Sequence, residues 1–166
     1  MARSRFNPIP KPKREPKDKW ATPDNNFSKF IRVRDCLYFS GNTNAGRCCT
    51  CGKPLMIYDA DCGHFITRDV HSLRFCETNA HMQCKLCNWH RKGEQAKHQD
   101  YIEKVHGPEV LRVLQNERNL WEANVRRFDQ GHINLQVISK YYLQKRKDLE
   151  SGKIEVHELY EKYKYL

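Results

Sequence analysis

Two Cys-x-x-Cys pairs, Cys48/Cys51 and Cys84/Cys87, are set 33 residues apart in this chain. Zinc prefers four soft ligands in a closed tetrahedron at structural sites, and each Cys-x-x-Cys turn presents two sulfurs from one tight knuckle. One Zn²⁺ held by all four thiolates would force the intervening chain to double back on itself. Gly52, just after the first knuckle, supplies the backbone freedom such a turn requires. Cys49 could replace Cys48 only by breaking the spacing, so Cys48 is the expected ligand. Cys36, Cys62 and Cys76 are expected to stay off the metal, Cys62 inside a strand.

A staple is what this composition calls for. The chain has 166 residues, 30% charged and 39% hydrophobic, and a limited core in a modest domain commonly needs a metal or disulfides. No apolar signal core stands near the N-terminus, and no run of about 18 apolar residues could span a membrane. The eight cysteines therefore read as free or zinc-bound thiols in a reducing cytoplasm. Lys and Arg outnumber Asp and Glu by 30 to 20, for a net charge of +10. Such an excess suits a polyanionic partner, with nucleic acid the leading candidate.

Three regions follow. Residues 1–26 are rich in Pro, Lys and Arg and read as a flexible, disordered basic arm able to track DNA phosphates. Residues 27–100 hold the cysteine-bracketed module, and 101–166 read as a helical extension. Phe27 to Asp35 has a rhythm compatible with a short helix or strand, and 36–46 has the turn chemistry of a loop. Leu55 to Ile66 reads as extended, Asn79 to Gln83 as a second strand, and a helix is expected to begin near Asn88. Farther on, Tyr101, Ile102 and Val105 share a helical face, with a stop at His106-Gly107-Pro108. Val110, Val113 or Leu114, Leu120 or Trp121, Val125 and Phe128 continue near helical spacing until Gly131, and two amphipathic segments, Ile133 to Leu149 and 154–166, complete the chain. Arg126, Arg127, Lys140, Lys145, Arg146 and Lys147 point outward in this reading. The fold class expected is α+β.

The order His64, Asn79, Cys84-x-x-Cys87, Asn88 resembles the HNH (His-Me finger) nuclease motif in its zinc-stapled form. Asn79 lies five residues before the second knuckle, Asn88 follows it immediately, and about fifteen residues separate His64 from Asn79. More narrowly, CGHFITR, LRF, NAHMQCKLCN and KG are similar to the phage recombination endonuclease family NinG, also called Rap, over residues 47–115. That resemblance implies a ββα-metal core with flanking helices. It also implies a DNA endonuclease that hydrolyses phosphodiester bonds, with a preference for branched recombination intermediates such as Holliday junctions or D-loops.

In such sites the first His is the general base, a role that falls to His64, since an imidazole can be neutral at physiological pH. Asn79 matches the residue that orients the loop and the His ring, and Asn88 matches a ligand of one catalytic Mg²⁺ or Mn²⁺. The family often places Asp or His just before the general base as a second metal ligand. Here that position is Gly63, so Asp61, His81 and His90 remain open as substitutes. Arg68, Arg74, Lys85, Arg91 and Lys92 are candidates for holding DNA phosphates. His71 and His98 are read as incidental. A homodimer built on the C-terminal segments would suit cutting of opposed strands. Two rival readings are a non-catalytic zinc-stapled nucleic-acid-binding module and an HNH nuclease that nicks ordinary duplex DNA.

Overall fold

Residues 18–123 and 134–161 are described in the computed structural model of the protein. Val125, Arg126, Arg127, Phe128, Gly131, Ile133 and Tyr163, together with the arm up to residue 17, lie outside the described residues.

Phe27, Phe30 and Ile31 recur at the spacing that lines one side of a helix, and all three are buried. They belong to α1 (Ala21–Ser40), which ends where Gly41 adopts φ 69° and its N–H caps the Leu37 carbonyl. Ala21–Asn26, assigned to the arm by composition, thus form its first turns. The helix also takes in 36–40, expected as loop, because Cys36 is buried against Met82 and Tyr38 stacks on Tyr160. Two antiparallel pairs follow: β1 (Ala45–Arg47) with β2 (Pro54–Met56), and β3 (Ala60–His64) with β4 (Ala80–Cys84). The second hairpin sets Asp61 opposite Gln83, Gly63 opposite His81 and His64 opposite Ala80. A π-helical turn, Leu86–His90, succeeds β4 and carries Asn88, where the start of a regular helix is expected from sequence. The regular helices are α2 (Gln95–His106), α3 (Pro108–Ala123), α4 (Leu135–Glu150) and α5 (Val156–Glu161). The protein is α+β. None of the described helices is long and apolar enough to cross a membrane.

One apolar cluster joins Phe27, Phe30 and Ile31 of α1 to Ala80, Tyr142, Leu149, Val156 and Tyr160. A second packs Ile66, Val70 and Leu73 of the long hairpin loop on Ile102, Val110, Leu111 and Leu114. The C-terminal helices are therefore part of the frame that holds the hairpin, as burial of such clusters stabilises roughly 1.5–3 kcal/mol per large side chain.

A buried ion pair crosses the same interface. Arg34 donates to Asp35 at 2.7 Å and to the carbonyl oxygens of Glu77 (2.7 Å) and Ala80 (2.9 Å). Asp35 also accepts from the Met82 amide at 2.6 Å and the Tyr160 hydroxyl at 2.5 Å. Each guanidinium nitrogen and each carboxylate oxygen has a hydrogen-bond partner, which offsets much of the cost of burying the charges. The pair ties α1 to β4 and to α5.

Candidate active site and metal centre

The cysteine knuckles converge as their spacing requires. Sγ atoms of Cys48, Cys51, Cys84 and Cys87 lie within 4.8 Å of one another, with Cys51 and Cys84 3.9 Å apart. A regular tetrahedron with Zn–S bonds of ~2.3 Å has edges of ~3.8 Å, so the cluster fits a zinc ion closely. Burial pushes the Cys48 thiol up, but the Thr50 hydroxyl at 3.1 Å and backbone amides outweigh it and bring the group down to about 7. Cys49 points elsewhere in the core, where burial holds its thiol well above the ordinary range. All eight cysteines are free thiols, and Cys36, Cys62 and Cys76 stand outside the cluster.

This centre pins the base of the β3–β4 hairpin, and a cleft of ≈ 340 Å³ opens beside β3. His64, Asp61, Asn88 and Arg68 line it. His64, Thr67 and Asn88 also line an adjoining cavity of ≈ 490 Å³ that reaches Lys92 and Arg118.

His64 is half-buried, with its ring 5.8 Å from that of Phe27. Its Nε2 lies 2.9 Å from the carbonyl oxygen of Arg74. A carbonyl can only accept, so Nε2 carries the proton and Nδ1 keeps the lone pair. Burial lowers this imidazole to about 4, although the Arg74 carbonyl favours the protonated ring. The ring is neutral at pH 7, as a proton acceptor must be.

Asn79 is fully buried and acts on the backbone of the loop. Its Oδ1 accepts from the Ile66 N–H at 2.9 Å, and its Nδ2 donates to the carbonyls of Ile66 (2.9 Å) and Leu73 (3.1 Å). The loop returning to Arg74 is thus fixed at both ends, and through it the carbonyl that holds His64.

Asn88 Nδ2 donates to Asp61 Oδ2 at 3.1 Å, and Trp89 Nε1 donates to the same oxygen at 2.7 Å. Of the three substitutes considered for position 63, Asp61 is the one brought to the cleft. His81 is fully buried beneath α2. Both its ring nitrogens are engaged, Nδ1 with His98 at 3.1 Å and Nε2 with His106 at 2.9 Å. Burial pushes His98 and His106 down to about 3 and His81 well below its usual value. His90 is exposed and lines neither cavity.

The basic candidates divide. Arg74 is mostly buried, with its guanidinium 4.3 Å from the Trp20 ring and donating twice to Asp24, Nε at 2.9 Å and Nη2 at 2.5 Å. It braces the loop against α1. Arg68 also reaches Asp24, at 3.2 Å, but is 55% exposed at the cleft. Lys85 and Lys92 are exposed, and Arg91 pairs with Glu94 at 2.7 Å on the surface. The sequence offered no signal for Asp24 or for the Arg74 carbonyl.

Comparison with curated proteins and with solved structures gave no match. The family profile described as bacteriophage lambda NinG protein matches residues 7–152, most of the length, and covers both the cysteine cluster and the cleft. The chain belongs to the NinG family.

Proposed function

We propose that this protein is a metal-dependent DNA endonuclease of the HNH type, with the β3–β4 hairpin and the π-helical turn as its ββα-metal core. The observation that carries this reading is the His64–Arg74 hydrogen bond of 2.9 Å. It leaves a neutral imidazole with a lone pair on Nδ1, beside a cleft that also holds a carboxylate and an amide. That is the equipment for taking a proton from water as the water attacks phosphorus. Asp61 and Asn88 are hard oxygen donors of the kind Mg²⁺ or Mn²⁺ selects. Such an ion, when bound, supplies charge stabilisation for a phosphodiester and its departing oxygen. Arg68 and Lys92 lie along the two cavities where the DNA backbone would run. Zinc at the cysteines is the scaffold in this account.

Family membership and the resemblance to recombination endonucleases favour branched DNA as the substrate. Incubating the protein with end-labelled four-way junction, flap and linear duplex, in Mg²⁺, Mn²⁺ or EDTA, tests both halves of the proposal. Metal-dependent cutting of junctions faster than duplex is expected. Equal cutting of duplex would leave a nuclease without branch preference. Binding without any cleavage would point to a zinc-stapled binding module instead.

A further inference from the structure

Position 63 is where the resemblance calls for a metal-binding side chain and the chain has none. A Cβ built on Gly63 would lie 1.8 Å from Oε1 of Gln83 and 2.5 Å from its Cδ. A side chain at 63 would require Gln83 to move, so the amide oxygen occupies the place where a side chain of residue 63 would begin. The amide's orientation is fixed. Its Nε2 donates to the Gly93 carbonyl at 2.9 Å, and because a carbonyl only accepts, the oxygen must be the atom aimed at Gly63. Gln83 is fully buried, and its Oε1 has no hydrogen-bond partner among the described residues. A buried acceptor left bare costs about 1–3 kcal/mol, a cost that calls for a compensating role.

Strand register identifies the neighbours of this oxygen. Gln83 pairs directly with Asp61, so their side chains leave one face of the hairpin, and Asp61 already reaches Asn88 at 3.1 Å. Gly93, which anchors the amide, lines the same cavity as His64 and Asn88. An oxygen on a four-atom arm from β4 thus arrives beside the base-bearing strand, on the hairpin face that also carries Asp61.

We propose that Gln83 supplies the amide-oxygen ligand that position 63 lacks, completing a divalent-cation site with Asp61 and Asn88. This inference rests on the nuclease reading above. Glycine at 63 is then required by the ligand rather than marking a defect: the two positions form one unit, with the donor moved from β3 to β4.

Binding of Mn²⁺, titrated calorimetrically into the zinc-loaded full chain, tests it without reference to cleavage. Zinc content and melting temperature check that each variant is folded. Gln83→Leu and Gln83→Ser should each weaken Mn²⁺ binding about tenfold or more. Gly63→Asp with Gln83→Ser, which exchanges the donor between strands, should restore affinity lost in Gln83→Ser alone. Unchanged affinity in Gln83→Leu would overturn the ligand role and leave Gln83 a strut. In that case wild-type binding abolished by Asn88→Ala would keep the nuclease reading intact. No Mn²⁺ binding by the wild type at all would overturn both.

Discussion

The Nε2 of His64 donates to the carbonyl oxygen of Arg74 across 2.9 Å, ten residues farther along the chain. One backbone oxygen therefore decides which nitrogen of the imidazole can accept a proton. The position of that oxygen depends on Asn79 inside the loop and on Asp24 outside it. A side chain from α1, fifty residues before Arg74, thus helps set the chemistry of the hairpin.

Arg74 and Arg68 are expected to separate in their DNA contacts. A lost phosphate contact lowers the slope of log affinity against log salt by about 1. Arg68→Ala should show that change in fluorescence anisotropy, whereas Arg74→Lys should leave the slope intact and slow cleavage. Asp24→Asn, which frees both arginines from their carboxylate, should reduce cleavage without weakening DNA binding.

Zinc content should depend on four of the eight cysteines. Cys84→Ser is expected to reduce bound zinc from one per chain to none and to unfold the hairpin, since structural zinc contributes on the order of 10 kcal/mol to folding in small domains. Cys49→Ser should retain the ion despite its place beside Cys48. Metal analysis of the purified variants distinguishes the two.

Acid should destabilise the fold well before the carboxylates titrate. His64 is lowered to about 4, and His98 and His106 to about 3, all chiefly by burial. In the unfolded chain each binds a proton as pH falls below about 6.5, while the folded protein refuses it. Their contribution to stability is thus complete above 6.5 and is lost as pH falls toward 3–4. Each histidine contributes a slope of about 1.4 kcal/mol per pH unit across that window. Urea denaturation of the zinc-saturated protein at pH 7.5, 6 and 5 should show the decline, with a shallower slope in His98→Gln. A flat profile would contradict the burial of these rings.

Tyr160→Phe removes one hydrogen bond from the buried Asp35 and should cost about 1.5–3 kcal/mol, the range for bonds to charged groups. Zinc stoichiometry should not change. The urea midpoint measures the first, metal analysis the second.

Much of the site could be read from residue spacing because it is local. The knuckles, the hairpin between them and the positions of His64, Asn79 and Asn88 all fall within 41 residues, Cys48 to Asn88. The parts that could not be read depend on long-range contacts. Arg34 and Asp35 interrupt the apolar stripe of α1, and only their pairing with β4 and Tyr160 explains why a charged pair continues a buried helix face. His81 resembled a metal ligand because it alternates with Asn79, yet two histidines from α2 take both of its nitrogens. Gln83 is not one of the motif residues, and only the paired strands bring it to the glycine that accommodates it. The register of Asp61 with Gln83 could have revealed it, since that pairing brings a long polar side chain next to the one β3 position without any.

The most direct test of the account is single-turnover cleavage of a labelled four-way junction in Mn²⁺ by His64→Ala, with binding of the same DNA measured in parallel. Loss of a general base is expected to lower the rate at least about 10²-fold, with zinc content and DNA affinity preserved. Cleavage at the wild-type rate by a folded, zinc-loaded His64→Ala protein would contradict the assignment of this cleft as the active site.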